Sequence, residues 1–244
     1  LVGRHGSGTI FFAYCNLGCL YCQNYTISQL GEGSTASSEE LAGMMLSLQR
    51  RGCHNINLVS PTHVVPYILE ALEIAVGSGL HLPLVYNSGG YDAIETLKLL
   101  DGIIDIYMPD MKYSDEVIAE QLSGIKDYPR VNRAALKEMH RQVGDLEIDD
   151  SGVAERGLLV RHLVLPHGLA GTKEIASFLA REISTNTYLN IMAQYHPCYQ
   201  AFNRPQLARS PSQAEFAEAI NLAHQQGLYR LDKHNSPLLR LTPR

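Results

Sequence analysis

Cys15-Asn16-Leu17-Gly18-Cys19-Leu20-Tyr21-Cys22-Gln23-Asn24 follows directly on Gly8-Thr9-Ile10-Phe11-Phe12-Ala13-Tyr14, an apolar run opened by glycine that reads as a short buried β-strand. Three of the chain's five cysteines therefore fall within eight residues, delivered to one loop by one strand. An odd number of cysteines with no second cluster leaves a disulfide framework incomplete, and a structural zinc site draws four ligands from paired clusters. Three thiolates on one loop instead suit an iron–sulfur cubane whose fourth iron has no protein ligand, the open position at which chemistry is done.

Working outward from this loop, hydrophobic spacing lays out the remaining elements. Residues 25–34 are polar and glycine-containing, lack periodicity and read as a loop. Ser37-x-x-Glu40 is a capping box, and Leu41, Met44, Met45 and Leu48 follow at i, i+3, i+4, i+7, which predicts a helix up to Gly52. Strands are expected over 55–60, 82–86, 103–108, 158–166 and 188–194, and helices over 65–76, around Ile94 and Leu97, over 116–122 and 131–143, and over 172–183 with Thr172 as its cap. Residues 145–150 are acidic and turn-like, one arm of a hairpin ahead of Gly157. A second capping box, Ser212-x-x-Glu215, opens a helix that stops at Gly227.

Strand and helix thus alternate about six times, which argues for a parallel sheet with helices outside it. A doubly wound open sheet fits the same alternation, but no Gly-x-Gly-x-x-Gly follows the first strand. The 244 residues lack a Pro-, Gly- or Ser-rich linker, an internal repeat or a low-complexity run, so residues 1–244 read as one α/β domain. A hydrophobic fraction of 45% with 18% charged residues is ordinary for a folded protein with a sizeable core. A net charge of -5 argues against a nucleic-acid or anionic-membrane surface, and no apolar run is long enough to span a membrane or mark a secretory leader. Free thiolates point to a reducing cytoplasm. The chain opens on Leu1 rather than Met, which is compatible with a preceding segment.

In parallel barrels function gathers in the loops at the C-terminal strand ends. Those ends are the cysteine loop, Ser60-Pro61-Thr62, Asn87-Ser88-Gly89-Gly90, Asp110-Met111-Lys112, Leu165-Pro166-His167 and Gln194-Tyr195-His196.

The Cys-x3-Cys-x2-Cys spacing, with an aromatic residue directly before its third cysteine, resembles the signature of the radical S-adenosylmethionine (SAM) superfamily. The trailing Gln23-Asn24 is similar to glycyl-radical-enzyme activases, the group of the pyruvate formate-lyase activating enzyme. This resemblance implies a partial, six-unit (β/α) barrel in which Cys15, Cys19 and Cys22 hold a [4Fe–4S] cluster and SAM chelates its fourth iron. It further implies an external one-electron donor, flavodoxin- or ferredoxin-like, reductive cleavage of SAM to methionine and a 5′-deoxyadenosyl radical, and hydrogen abstraction, in an activase from a glycine of a partner enzyme. Ser60-Pro61-Thr62 stands where such proteins carry Gly-Gly-Glu-Pro, so backbone carbonyls are left to meet the SAM amino group, with Thr62 offering a hydroxyl. Asn87-Ser88 is similar to the activase Thr-Asn-Gly segment and Asp110-Met111-Lys112 to Asp-Leu-Lys, where Asp accepts from ribose hydroxyls and Lys donates to a carboxylate or pairs with Asp. His196 matches a histidine close to SAM.

Taken as residues alone, Asp110 and Lys112 also read as a surface ion pair and His196 as a structural histidine. Arg161 and His162 alternate along their strand, so one faces in and the other out. Cys53 reads as structural; Cys198 is either an inert thiol or a hydrogen-atom relay across the barrel mouth. Two other functions stay open: radical SAM modification of a small molecule or peptide, with 114–133 and 195–204 lining its pocket, and a non-enzymatic iron–sulfur electron-transfer or sensor protein.

Overall fold

Strands β1 (Gly8–Phe11), β2 (Ile56–Val59), β3 (Leu84–Asn87), β4 (Ile106–Tyr107), β5 (Glu147–Ile148), β6 (Ala154–Leu163) and β7 (Tyr188–Met192) form one sheet in the computed structural model, which describes residues 1–232. The last stretch of the expected 1–244 domain lies outside the described residues. All neighbours pair in parallel and in chain order, apart from β5, which runs antiparallel to β6 as the arm expected ahead of Gly157. β1 and β7 do not pair, so the sheet stays open as a partial barrel.

The period-2 pleat sorts each strand between two environments. Ile56 and Leu58 of β2, Tyr86 of β3, Tyr107 of β4 and Leu158 and Val160 of β6 join the main core with helical residues such as Leu41, Met45, Ile68, Leu136 and Met139. Residues of the other parity, Val85, Ile106 and Leu159, form a separate small core with Met108 and Leu146. Nearer the C-terminal ends that same parity supplies Asn57, Val59, Asn87 and Arg161, which line a cavity. Register puts Phe11, Val59 and Asn87 abreast, and Asp110 forms a parallel bridge with Arg161. Adjacent strand ends therefore present their loops side by side.

Helices α1 (Tyr25–Ser28), α2 (Ser38–Arg50), α3 (Val65–Gly77), α4 (Ile94–Leu99), α5 (Glu116–Ser123), α6 (Tyr128–Val143), α7 (Thr172–Phe178) and α8 (Gln213–Gln225) fill the connections. Both capping boxes form: Ser37 accepts from Glu40 N while Glu40 returns to Ser37 N, and Ser212 and Glu215 do the same. Ser37→Ala is expected to cost about 1 kcal/mol and to lower Tm by ~3 °C in a calorimetric scan. Among the described residues no helix is long and apolar enough to cross a membrane.

Three local expectations are corrected. The stretch 25–34 is not all loop, since α1 forms where Ser28 N and Gln29 N donate back to Asn24 O and Tyr25 O. The strand expected over 103–108 shrinks to Ile106–Tyr107, because Ile103 and Ile104 donate to Leu100 O and belong to the turn that closes α4. Thr172 does not cap α7: Gly171 holds that position at φ 73°, and the Thr172 hydroxyl is 2.9 Å from His162 Nε2. The helix then continues as a π-helical turn through Leu179–Ile183.

Candidate active site

The cysteine loop is tied down along its length. Tyr14 takes a left-handed φ of 61°, turning the chain out of β1 so that Tyr14 N and Cys15 N donate to Ile27 O and Ser28 O of α1. Gly18 N and Leu20 N donate to Ser123 O and Leu122 O at the end of α5, and Gln29 Nε2 donates to Leu17 O. A loop whose backbone groups are this fully paired holds its side chains in fixed places. Leu17, Cys19 and Tyr21 point into a second core with Tyr113, Leu122, Tyr128 and Tyr195.

Cys15, Cys19 and Cys22 all line one cavity of about 390 Å³, and each has a polar side-chain neighbour. Ser123 Oγ donates to Cys19 Sγ at 2.9 Å, Ser28 Oγ lies 3.0 Å from Cys22 Sγ, and Cys15 Sγ lies 3.8 Å from Asn16 Oδ1. Ser60 has φ 57°, an uncommon backbone state for a non-glycine residue, held by Ser60 N donating to Asn87 O. Burial pushes the Cys19 thiol up to about 11, with Lys112 and Ser123 acting in the opposite sense, and burial also raises Cys15.

A charged cluster lines the same cavity. Lys112 Nζ is 2.6 Å from Asp110 Oδ2, and Arg161 Nη2 is 2.7 Å from Asp110 Oδ1. Their side chains are only 17%, 14% and 24% exposed for Lys112, Asp110 and Arg161, so this is no surface pair. Burial alone would raise the Asp110 carboxyl, but Arg161 and then Lys112 hold it below its ordinary value. Burial likewise opposes the Lys112 ammonium, and Asp110 overcomes it, raising its pKa. One carboxylate thus serves two cations and leaves net positive charge beside the thiols.

A second network fixes the ends of β2 and β3. The buried Asp92 carboxylate accepts from Ser88 Oγ at 2.6 Å, Thr62 Oγ1 at 2.7 Å and Tyr86 OH at 2.9 Å. Between β3 and Asp92 the chain passes through Gly89 and Gly90; Gly90 sits at φ 75°, and a Cβ there would lie 2.2 Å from Asp110 O. Only glycine allows the two strand ends to approach this closely. Tyr128 OH donates into the same junction, 2.9 Å from both Gly89 O and Asp110 O.

Of the positions expected from the sequence, Cys15, Cys19, Cys22, Ser60, Asn87, Ser88, Asp110 and Lys112 line the cavity together. Pro61, Thr62 and His196 are not among its lining residues. Pro61 is buried, Thr62 spends its hydroxyl on Asp92, and His196 is exposed, with Nδ1 3.2 Å from Gln23 Nε2. Residues 114–133 and 195–204 do not line it either, because Ala119, Leu122, Tyr128, Tyr195 and Ala201 are spent on the second core. Cys53 and Cys198 also stand outside the lining. Of the alternating pair, Arg161 faces the cavity and His162 is buried on the other side, between Met111 O at 2.8 Å and Thr172. Arg161 and Asn57 are site residues that sequence reasoning did not select; each is a polar residue inside an otherwise apolar parallel strand, which was the available signal.

The sequence profile described as "Radical SAM superfamily" matches residues 9–148, more than half of the chain's 244. The chain belongs to the radical SAM superfamily. A relative by sequence, an uncharacterised protein from Methanocaldococcus jannaschii, is 31% identical over 236 residues, an alignment covering 93% of this chain and 63% of that protein. Two solved structures share the fold. A radical SAM methyltransferase from Sphaerobacter thermophilus has a TM-score of 0.63 at 13% identity, covering 94% of this chain and 67% of that one. anSMEcpe with bound AdoMet and Cp18Cys peptide has a TM-score of 0.61 at 12% identity, covering 88% of this chain and 58% of that one. This radical SAM chain thus spans less than two thirds of the length of its curated relative. Membership of the superfamily implies a [4Fe–4S] cluster and SAM.

Proposed function

We propose that this chain reductively cleaves SAM at a [4Fe–4S] cluster held by Cys15, Cys19 and Cys22, and that it takes a hydrogen atom from a glycine of a partner polypeptide in the manner of a glycyl-radical-enzyme activase. The observation that carries the reading is the meeting of three thiols from one loop with Asn87, Asp110 and Arg161 of three other strand ends in one cavity, where Asn87 Oδ1 and Arg161 Nε are buried without hydrogen-bond partners.

The residues present fit both groups. Three thiols from one loop suit one thiolate per iron of a cluster whose fourth iron has no protein ligand. Asn87 Oδ1 and Arg161 Nε are buried without hydrogen-bond partners, and Asp110 Oδ1 meets Arg161 only as an ion pair outside hydrogen-bond alignment. Unsatisfied buried groups of this kind call for a ligand. Arg161 and Lys112 offer donors for a carboxylate, while Asp110 and Asn87 offer acceptors for an ammonium or for ribose hydroxyls. Ser60 and Ser88 line the same cavity.

When bound, cluster and SAM supply a one-electron reductive cleavage that the protein's own side chains cannot perform. The electron comes from a flavodoxin- or ferredoxin-like donor. The chain's contribution is to hold the thiols on a paired loop, to keep positive charge beside them through Lys112 and Arg161, and to wall the cavity with Phe11, Phe12 and Leu17. Such walls exclude water from reactive chemistry.

At about 390 Å³ the cavity is near the small end of ligand sites. A cavity of this size, shared with a cluster and SAM, leaves little enclosed space beside them, which favours a polypeptide segment presented from outside over an enclosed small molecule. Gln23, directly behind the last cysteine, contacts His196 at the edge of this region and carries the activase-like part of the signature. The test is made on anaerobically reconstituted protein with SAM and dithionite. Formation of 5′-deoxyadenosine and methionine is expected, and addition of the cognate glycyl-radical enzyme should give a glycyl EPR doublet. SAM cleavage without a doublet from any such enzyme of the source organism would remove the activase assignment and leave peptide modification in its place.

A further inference from the structure

Cys19 ends a buried chain of hydroxyls that the chemistry above does not use. Tyr21 OH lies 2.6 Å from Tyr113 OH, Tyr113 OH lies 2.6 Å from Ser123 Oγ, and Ser123 Oγ donates to Cys19 Sγ at 2.9 Å. The four residues are 5%, 1%, 1% and 7% exposed in that order, so no water competes for these protons. Each hydroxyl carries one proton. Once the cysteine is a thiolate, which only accepts, Ser123 has to donate to it, Tyr113 to Ser123 and Tyr21 to Tyr113. The direction of the whole chain is thereby set, and hydrogen bonds running one way strengthen one another.

The other two thiols are served differently. Cys22 meets Ser28, which also receives Gln29 Nε2 at 3.4 Å, and Cys15 Sγ lies 3.8 Å from Asn16 Oδ1. Neither partner has a phenol hydroxyl behind it. The Cys19 chain is also held from both sides, since Ser123 ends α5 and its carbonyl receives Gly18 N of the cysteine loop at 3.1 Å.

We propose that Ser123, polarised by Tyr113 and Tyr21, is a positioning residue that donates to the Cys19 sulfur and raises the reduction potential of the cluster. The inference rests on the cluster reading above. A one-electron reductant adds one negative charge to the cluster, part of it on the cysteine sulfurs, and a fixed donor stabilises the more negative state more than the other. Hydrogen bonds to the sulfurs are among the factors that set iron–sulfur potentials.

The experiment uses the full chain, reconstituted anaerobically with iron and sulfide and titrated against a low-potential reductant, with the reduced cluster followed by EPR. Ser123→Ala is expected to retain its iron and sulfide but to show about a tenfold lower ratio of reduced to oxidised cluster at fixed poise, equal to ~59 mV for one electron. Tyr113→Phe, which leaves Ser123 in place, should shift the ratio in the same direction by less. If Ser123→Ala does not fold, Tyr113→Phe decides alone. A wild-type chain that takes up no cluster overturns the cluster reading and this inference with it. A wild-type cluster whose potential is unchanged in the variants overturns only the inference, and a serine needed merely for packing would lower stability without moving the potential.

Discussion

Cys19→Ala is expected to abolish cluster retention and SAM cleavage together, with activity falling to the no-enzyme background. Cys19 is the most buried of the three loop cysteines, at 7% exposure, and no other thiol lines the cavity to replace it. Two remaining thiolates leave two irons without protein ligands, and a cluster held by two cysteines exchanges into solvent. The fold should survive, because the loop is held by backbone bonds to α1 and α5 that do not involve the side chain, and trimming a small buried group costs about 1 kcal/mol. The same loss is expected for Cys15→Ala and Cys22→Ala. Cys53→Ala and Cys198→Ala are the controls and should keep full iron and sulfide content, since both stand outside the cavity lining. Iron and sulfide analysis, with 5′-deoxyadenosine measured under anaerobic reduction, reads the whole series. Normal iron content in Cys19→Ala would remove this cysteine from the ligand set.

Much of this site was legible because the signals were local. The three cysteines fall in one eight-residue window, the capping boxes at Ser37 and Ser212 satisfy their own first turns, and the strand ends carry polar residues directly after apolar runs. What escaped depends on partners far away in sequence. That Thr62 turns from the cavity follows from Asp92, thirty residues on, which collects Tyr86 and Ser88 as well. Parity told that Arg161 and His162 part ways but not which goes in; Met111 O and Thr172 decide it by satisfying both imidazole nitrogens on the outer side. The stretch 114–133 is polar enough to suggest a pocket, yet its Ala119, Leu122 and Tyr128 are drawn into the second core beneath the cysteine loop. Periodicity over so short a helix as α5 does not show which element it will meet.

Asp110→Asn is expected to destabilise the chain by about 3 kcal/mol, the low end for breaking a buried ion pair, because the three side chains keep some solvent contact. The substitution preserves shape and removes the only carboxylate between two cations, so Lys112 and Arg161 are left to repel each other in a poorly hydrated place. The sign of the pH dependence follows from the depressed Asp110 pKa. A carboxylate held below its unfolded value of 3.8 contributes stability above that pH and loses it as pH falls through the lower folded pKa. Wild-type stability should therefore drop on the acid side of about pH 4, and Asp110→Asn should lack that part of the slope. Charge, rather than lost packing, predicts a specific rescue. Adding Lys112→Met removes one of the unpaired cations, and the double variant should recover about 1 kcal/mol relative to Asp110→Asn, even though it carries one more change. Lys112→Met alone should cost less than Asp110→Asn, since Asp110 keeps Arg161. Urea unfolding at pH 7 and pH 3 gives all four corners of the cycle, and a double variant no more stable than Asp110→Asn would mean that packing at the Asp110–Arg161 bridge, not charge balance, holds these strand ends together.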